Sequence, residues 1–200
     1  MEEVIPGILY WTAEHPKIKM PVSCFWVPNA GAVIDALLPP EEGIGAFRER
    51  PPERVLLSNR HHLRHAERFA DELGCTIHCS KPGLHEFEGG PAVEGFDFGD
   101  EIAPGIEGLE VGAICPDESA LLIRDAGALV IADGIVHYGG ELRFVSDRLL
   151  GDDPDEVKAG LRESYSRLLD RDFDHLLFAH GDPVIGGGKE ALRRFAETER

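Results

Sequence analysis

A strand–helix–strand segment at residues 55–79 constrains the fold more than any other part of the sequence. The apolar run VLLSN (55–59) predicts a buried strand. The stretch RHHLRHAERFADELG that follows predicts a helix, because its apolar residues recur at helical spacing from Leu63 to Leu73 and Gly74 is a typical stop. CTIHC then resumes as a strand. Two strands joined through a helix run parallel, so the segment predicts a βαβ unit.

The rest of the chain adds strands before this unit, and strands and helices after it. ILYW, VSCFWV and GAVIDALL predict an antiparallel meander, and IEGLEVGAI, SALLIRD and GALVIADG predict a second sheet whose last two strands form a hairpin. One helix is predicted from Asp153, with Pro154 at its first position, and another over GGGKEALRRFAETER. The stretch from Lys81 to Gly105 predicts a long loop with short strands. We therefore predict one α/β domain over residues 1–200, with helices outside two sheets.

Charge and cysteine usage exclude several classes of function and indicate a cellular location. The 200 residues carry a formal net charge of −17, which disfavours nucleic acid and anionic membrane surfaces as partners. The four cysteines are scattered, so we expect reduced thiols. The acidic start MEEVIPG lacks the basic region of a signal peptide, and these features together predict a cytoplasmic protein.

Potential metal ligands stand directly after three of the apolar strands. VLLSN runs into the cluster of His61, His62 and His65, ALVIA runs into Asp133, and HLLFA runs into His180. The carboxyl ends of strands in α/β proteins line the usual ligand crevice, so we expect these side chains to converge. Neutral imidazole is the commonest protein ligand for zinc and iron. The sequence therefore predicts a metal site at this edge.

Simpler interpretations exist for each of these positions. Within the predicted helix, His61 with His65 or His62 with His65 would share a face, but the cluster can equally be a solvated helix start. Arg60 and Arg64 favour the simpler interpretation, because fixed positive charges beside a dication cost electrostatic energy. Asp133 can be a turn residue that bonds its own backbone, and AHGDP around His180 is also a good turn sequence.

Taken in order, these features resemble the metallo-β-lactamase fold superfamily over nearly the whole chain. The resemblance rests on a strand ending in Asp35, a strand running into a histidine-rich loop of the H-x-H-x-D-H type, the segment FGDEIAPGIEGLEVGAICPDESALLI, a strand ending in Asp133 and a late strand ending in His180-Gly181. It implies an αββα sandwich of two mixed β-sheets with outer helices. It also implies hydrolytic chemistry at a metal centre.

The sequence departs from the family's two-metal ligand set of five histidines and two aspartates. In the register that matches R-H-H-L-R-H to H-x-H-x-D-H, His62 and His65 are kept, but Arg60 and Arg64 replace a histidine and the aspartate. A register one residue earlier keeps only His61. Ala113 stands where a further histidine belongs. The resemblance then implies at most one zinc, iron or manganese ion, held by His61 or His62 with His65, Asp133 and His180, with Asp133 as the catalytic residue.

Two hypotheses follow from this reduced ligand set. The first is a hydrolase-like enzyme with a degenerate, mononuclear metal site that acts on a small molecule. The second is a metal-free, non-catalytic member of the fold that binds an anionic ligand or a protein partner. Arg60 and Arg64 suit the second hypothesis, because guanidinium groups standing where metal ligands belong can pair with an anion.

Overall fold

A seven-stranded mixed sheet forms the N-terminal half of the protein in the computed structural model, which describes residues 1–198. The neighbours β1 to β4 pair antiparallel, as the predicted meander requires, and β4 to β7 pair parallel. The strands lie side by side in chain order: β1 Glu2–Ile5, β2 Ile8–Glu14, β3 Pro21–Val27, β4 Ala32–Ile34, β5 Arg54–Leu56, β6 Thr76–Ser80 and β7 Val93–Phe96.

A second, five-stranded sheet has the order β14-β11-β10-β9-β8 and is also mixed. Only β11 and β14 pair parallel, and the predicted hairpin of β10 and β11 is confirmed. A separate hairpin of β12 and β13 follows β11 in the chain. The strands are β8 Glu101–Ala103, β9 Ile106–Glu110, β10 Ser119–Ile123, β11 Ala128–Ile131, β12 Ile135–Tyr138, β13 Glu141–Phe144 and β14 His175–Phe178.

In the described part of the chain, three α-helices cover the outer faces of the two sheets. They are α1 Ala66–Leu73, α2 Pro154–Leu168 and α3 Gly188–Glu197. The predicted start of α2 is confirmed, because Asp153 Oδ1 accepts a hydrogen bond from the Glu156 backbone N–H at 3.0 Å and Pro154 occupies the first position. No helix within residues 1–198 is both long and apolar enough to cross a membrane.

Three apolar clusters hold the layers together. Phe25, Leu56 and Leu177 belong to the cluster that lies between the two sheets. Phe69 of α1 packs in a cluster with strands of the first sheet, and Tyr165 of α2 packs in a cluster with strands of the second. Each sheet thus buries one face against the other sheet and one face under helices, which is the predicted αββα sandwich. The predicted βαβ unit is also confirmed, since β5 and β6 pair in parallel on either side of α1.

The predicted helix through the histidine cluster is wrong in its first turn. A separate 3-10 turn covers Arg60–His62, capped by the Asn59 side chain, and α1 begins only at Ala66. Arg64 between them has a φ of 44°, a left-handed conformation that no helix continues through. Because residues 61–65 do not form one helix, the expected sharing of a helical face by His65 with His61 or His62 does not occur.

Candidate metal centre

Three of the predicted ligands come together where strands of both sheets end. His62, Asp133 and His180 each offer one ligand atom, and these atoms lie within 4.8 Å of one another. Asp133 Oδ1 stands between the two rings, 3.2 Å from His62 Nε2 and 3.1 Å from His180 Nε2. His62 follows β5 of the first sheet, whereas Asp133 and His180 follow the parallel pair β11 and β14 of the second.

Asp35 and Ser58 fix the orientation of the His62 ring through its Nδ1 atom. His62 Nδ1 lies 3.0 Å from Asp35 Oδ2 and 2.9 Å from Ser58 Oγ. Ser58 in turn donates to Asp35 from its backbone N–H at 2.8 Å and from its hydroxyl at 2.6 Å. All three residues are buried. With Nδ1 facing a carboxylate, the ring presents Nε2 to Asp133 and His180, an arrangement typical of metal-ligating histidines.

Asp133 is oriented from the first sheet as well. The Asn59 side-chain amide donates to Asp133 Oδ2 at 2.9 Å, which leaves Oδ1 for the two imidazoles. Burial raises the pKa of Asp133, but the charge of His62 and hydrogen bonds from His180 and His62 outweigh it and hold the pKa well below its ordinary value. The carboxylate is therefore ionised at neutral pH, as a metal ligand must be.

The pKa of His62 is shifted in the opposite direction to that of Asp133. Burial disfavours its cation, but the negative charges of Asp133 and Asp35 prevail and raise the pKa of His62 to about 9. Without a metal, His62 is accordingly a cation at neutral pH and lies between two carboxylates. A metal at this place would take over the role of that proton.

A second buried carboxyl lies beside Asp133 on the α2 side. Glu118 Oε1 accepts a hydrogen bond from the Gly134 backbone N–H at 2.9 Å. Burial and the charge of Asp133 raise the pKa of Glu118 to about 7. Within residues 1–198, Glu118 Oε2 and the Tyr165 hydroxyl are buried without a hydrogen-bond partner. A Cβ at Gly134 would lie only 2.1 Å from the Tyr165 hydroxyl oxygen, so this close approach requires glycine.

Comparisons with solved structures identify the architecture. The metallo-beta-lactamase family protein TTHA1429 from Thermus thermophilus aligns with a TM-score of 0.68 at 14% identity, covering 96% of this chain and 79% of that one. ST1585 from Sulfolobus tokodaii, an archaeal metallo-beta-lactamase superfamily protein, gives 0.65 at 12% identity and covers 96% and 87%. TTHA1623 in a di-iron-bound form gives 0.62 at 20% identity and covers 91% of both chains.

This chain has the metallo-β-lactamase fold. No family model and no curated protein sequence matches it. The likeness therefore lies in the three-dimensional architecture, and the sequence resemblance on the strand-end ligands agrees with it.

Two histidines of the predicted metal set lie outside the group in this metallo-β-lactamase fold. His61 is exposed, and its backbone N–H is used to bond the Asn59 side chain at 2.9 Å. His65 Nδ1 accepts a hydrogen bond from the Leu38 backbone N–H at 3.1 Å. Burial and the charge of Arg68 lower the pKa of His65. The structure thus brings His62 to Asp133 and His180, and it directs His65 to the segment that follows β4.

The two arginines of the histidine cluster are used in different ways. Arg60 pairs with the buried carboxylate of Asp117 through its guanidinium and also donates its backbone N–H to Asp117 Oδ2 at 2.7 Å. Arg64 donates to two backbone carbonyls, Ser23 O at 3.0 Å and Asp35 O at 2.6 Å. Arg60 is thereby neutralised by a carboxylate, whereas Arg64 is hydrogen-bonded to neutral groups only.

Four residues that build this site, Ser58, Asn59, Asp117 and Glu118, are not among the site residues predicted from the sequence. Ser58 and Asn59 end the strand run VLLSN, and polar residues at the end of a buried run are a signal that could have found them. Asp117 and Glu118 lie in the segment CPDES, where no local pattern distinguishes a buried acid from a turn acid. Their burial follows from contacts with residues far away in the sequence.

The donor set fits a single metal ion. Two imidazoles and one carboxylate with open positions are a ligand set that zinc and non-haem iron both accept. The hydrogen bond of Asp35 to His62 and that of Asn59 to Asp133 supply the outer support that such ligands require. No other group of three or more potential ligands with this spacing occurs within residues 1–198.

Proposed function

We propose that this protein is a hydrolase-like enzyme of the metallo-β-lactamase fold with a degenerate, mononuclear metal site that acts on a small molecule. His62, Asp133 and His180 would hold one zinc, iron or manganese ion. The observation that carries the proposal is the His62 arrangement, in which Asp35 and Ser58 fix Nδ1 and leave Nε2 facing Asp133. A histidine placed only for packing needs no such double support.

A bound ion of this kind would lower the pKa of a coordinated water and polarise the bond to be cleaved. The chain's own part is to hold the ligands in place. Asp133 is the catalytic residue of the proposal, because its Oδ1 lies at the centre of the cluster while Asn59 fixes Oδ2. Arg60 and Arg64, which replace a histidine and an aspartate of the family's pattern, support a count of one ion rather than two.

Metal content tests the proposal directly. We expect about one equivalent of zinc, iron or manganese in the mildly purified or reconstituted protein, and less than about a tenth of that in His180→Ala and Asp133→Asn. The matched control is His61→Ala, which removes an exposed histidine one residue from His62 and should leave the content unchanged. Elemental analysis that finds no metal above trace after reconstitution, or an equal loss in the control, would contradict the proposal.

One observation favours the second candidate function, a metal-free protein that binds an anionic ligand or a protein partner. The cluster is satisfied without metal, because a protonated His62 bonds both Asp35 and Asp133. Chelators should then leave the melting temperature unchanged, while sulfate, phosphate or a carboxylate raises it. For both functions we propose a cytoplasmic location, supported by four free, buried cysteines.

A further inference from the structure

A cavity of about 500 Å³ lies beside the histidine turn, outside the metal-ligating group. It is bordered by the turn between β2 and β3, by residues 60, 61 and 63–65, and by the segment near Phe87. His61 and Leu63, the chain neighbours of His62, line it, whereas His62, Asp133 and His180 do not. Its volume suits a small organic molecule.

Two cations that line this cavity have no carboxylate partner. Within residues 1–198, neither Lys17 nor Arg64 forms an ion pair, although the chain has many more acidic than basic residues. Arg60, which lines the same cavity, is paired with Asp117 and lies 4.0 Å from Glu86. The unpaired charge of the cavity is therefore that of Lys17 and Arg64.

His15 lines the same cavity and lies close to these positive charges. Burial lowers the pKa of His15, and the positive charges of Arg64, His62, Lys17 and His180 lower it further. Its Nδ1 accepts the backbone N–H groups of Lys17 at 3.3 Å and Ile18 at 3.4 Å. The ring thus lies within the combined field of the cationic cavity and the two histidines of the candidate metal centre.

The remaining walls limit what kind of anion fits. Leu37, Leu63 and Phe87 supply apolar surface, which suits a hydrocarbon body. Glu67 and Glu86 also border the cavity. These acids offset part of the positive charge, so a single negative charge is better accommodated than a polyphosphate.

We propose that this cavity binds a small organic carboxylate with an apolar body, with Lys17 and Arg64 facing the carboxylate group. That this molecule is the substrate rests on the metal-dependent hydrolase proposed above, whereas its binding does not.

Binding of hexanoate tests the proposal, with hexanamide as a neutral probe of the same shape and inorganic phosphate as an anion without an apolar body. We expect hexanoate to bind at least about tenfold more tightly than either, measured by ligand-observed NMR or calorimetry on the whole protein. Lys17→Gln should weaken hexanoate binding about three- to tenfold, because it removes one of two unpaired charges. Lys17 is exposed, so this substitution leaves the fold intact.

The matched control is Lys19→Gln, in the same turn but outside the cavity, which should change hexanoate binding less than about twofold. Equal binding of hexanamide, equal binding of phosphate, or equal effects of the two lysine variants would each overturn the proposal. All titrations are run on chelator-treated and on zinc-treated protein, with metal content measured alongside. If the protein binds hexanoate but no metal, the proposed hydrolase is refuted and the proposed carboxylate site is supported. If it binds metal but not hexanoate, only the proposed carboxylate site is refuted.

Discussion

The buried carboxyls on the two sides of the candidate site, Asp35 and Glu118, differ in how completely their oxygens are satisfied. On the side of the first sheet, both Asp35 oxygens accept hydrogen bonds, from Ser58 and from His62, although Arg64 Nε nearby is buried without a partner within residues 1–198. On the side of the second sheet, Glu118 Oε2 and the Tyr165 hydroxyl are buried without partners in the part of the chain that the structure describes. Buried polar atoms without partners cost free energy, so Glu118 Oε2 and the Tyr165 hydroxyl lower the stability of the fold.

The site is therefore pre-organised mainly on the side of His62. On the first side, the buried ion pair of Asp35 and His62 and its hydrogen bonds fix the orientation of the His62 ring. On the second side, the Glu118 carboxyl lies beside Asp133 and has a raised pKa. The stability of the protein therefore depends on pH through the protonation of Glu118. Substitutions on the two sides should therefore change the free energy of unfolding in opposite directions.

The largest effect is expected for Asp35→Asn. It leaves His62 without one of its two carboxylates and should lower the free energy of unfolding by about 3–5 kcal/mol in chelator-treated protein. The same change should weaken metal binding about 10- to 100-fold, since the ring loses the acceptor that orients it. Asp35 has a φ of 50°, and asparagine tolerates this conformation as well as aspartate does, so backbone strain does not contribute.

Urea unfolding and metal titration measure the two effects of Asp35→Asn. The control is Asp97→Asn, which alters an exposed carboxylate paired with Lys81 and should change neither quantity appreciably. Metal binding of Asp35→Asn at the wild-type affinity would show that the support behind His62 does not orient the ring.

Glu118→Gln tests the second side and should stabilise the protein at high pH. The pKa of Glu118 is about 7 in the folded protein against an ordinary value of 4.5, so the folded state binds its proton more tightly. That contribution is fully present below pH 4.5 and is lost as the pH rises through 7, which amounts to about 3 kcal/mol at most. Glutamine does not titrate, so the variant should gain stability relative to wild type between about pH 5 and pH 8.

The measurement for Glu118→Gln is the difference between its free energy of unfolding and that of wild type, determined at about pH 5 and again at about pH 8. Groups that do not interact with Glu118 titrate equally in both proteins and cancel in this difference. Glu110→Gln, at an exposed position in β9, is the control and should show no such trend. A difference that stays constant over this pH range would mean that Glu118 does not titrate within it.

The fold and the convergence of the site were predictable because they depend on patterns that the sequence displays locally. Apolar runs bounded by Gly, Pro or Asn predict the strands, and ligands placed at the carboxyl ends of strands predict that His62, Asp133 and His180 meet. The N-cap of α2 was readable from Asp153 and Pro154 for the same reason.

The choice among the three clustered histidines was not predictable, because it depends on the backbone between them. A 3-10 turn at Arg60–His62 and a left-handed Arg64 separate His62 from His65, and the apolar periodicity of the segment favours a continuous helix instead. The burial of Glu118 and Tyr165 likewise depends on packing between β10 and α2, elements that are far apart in the chain. Such contacts leave no periodic signal.

The smallest effect, and the finest distinction between the two sides, is expected for Tyr165→Phe. The substitution removes a buried hydroxyl without a partner and should raise the free energy of unfolding by about 1 kcal/mol. Ser164→Ala provides a comparison of opposite sign on the same helix, because the buried Ser164 hydroxyl donates a hydrogen bond to Val111 O at 2.7 Å and its removal should lower the free energy of unfolding. Urea unfolding of both variants at the same pH measures the pair. A loss of stability in Tyr165→Phe would show that the hydroxyl is satisfied in the folded protein, and would remove the contrast between the two sides of the site at this position.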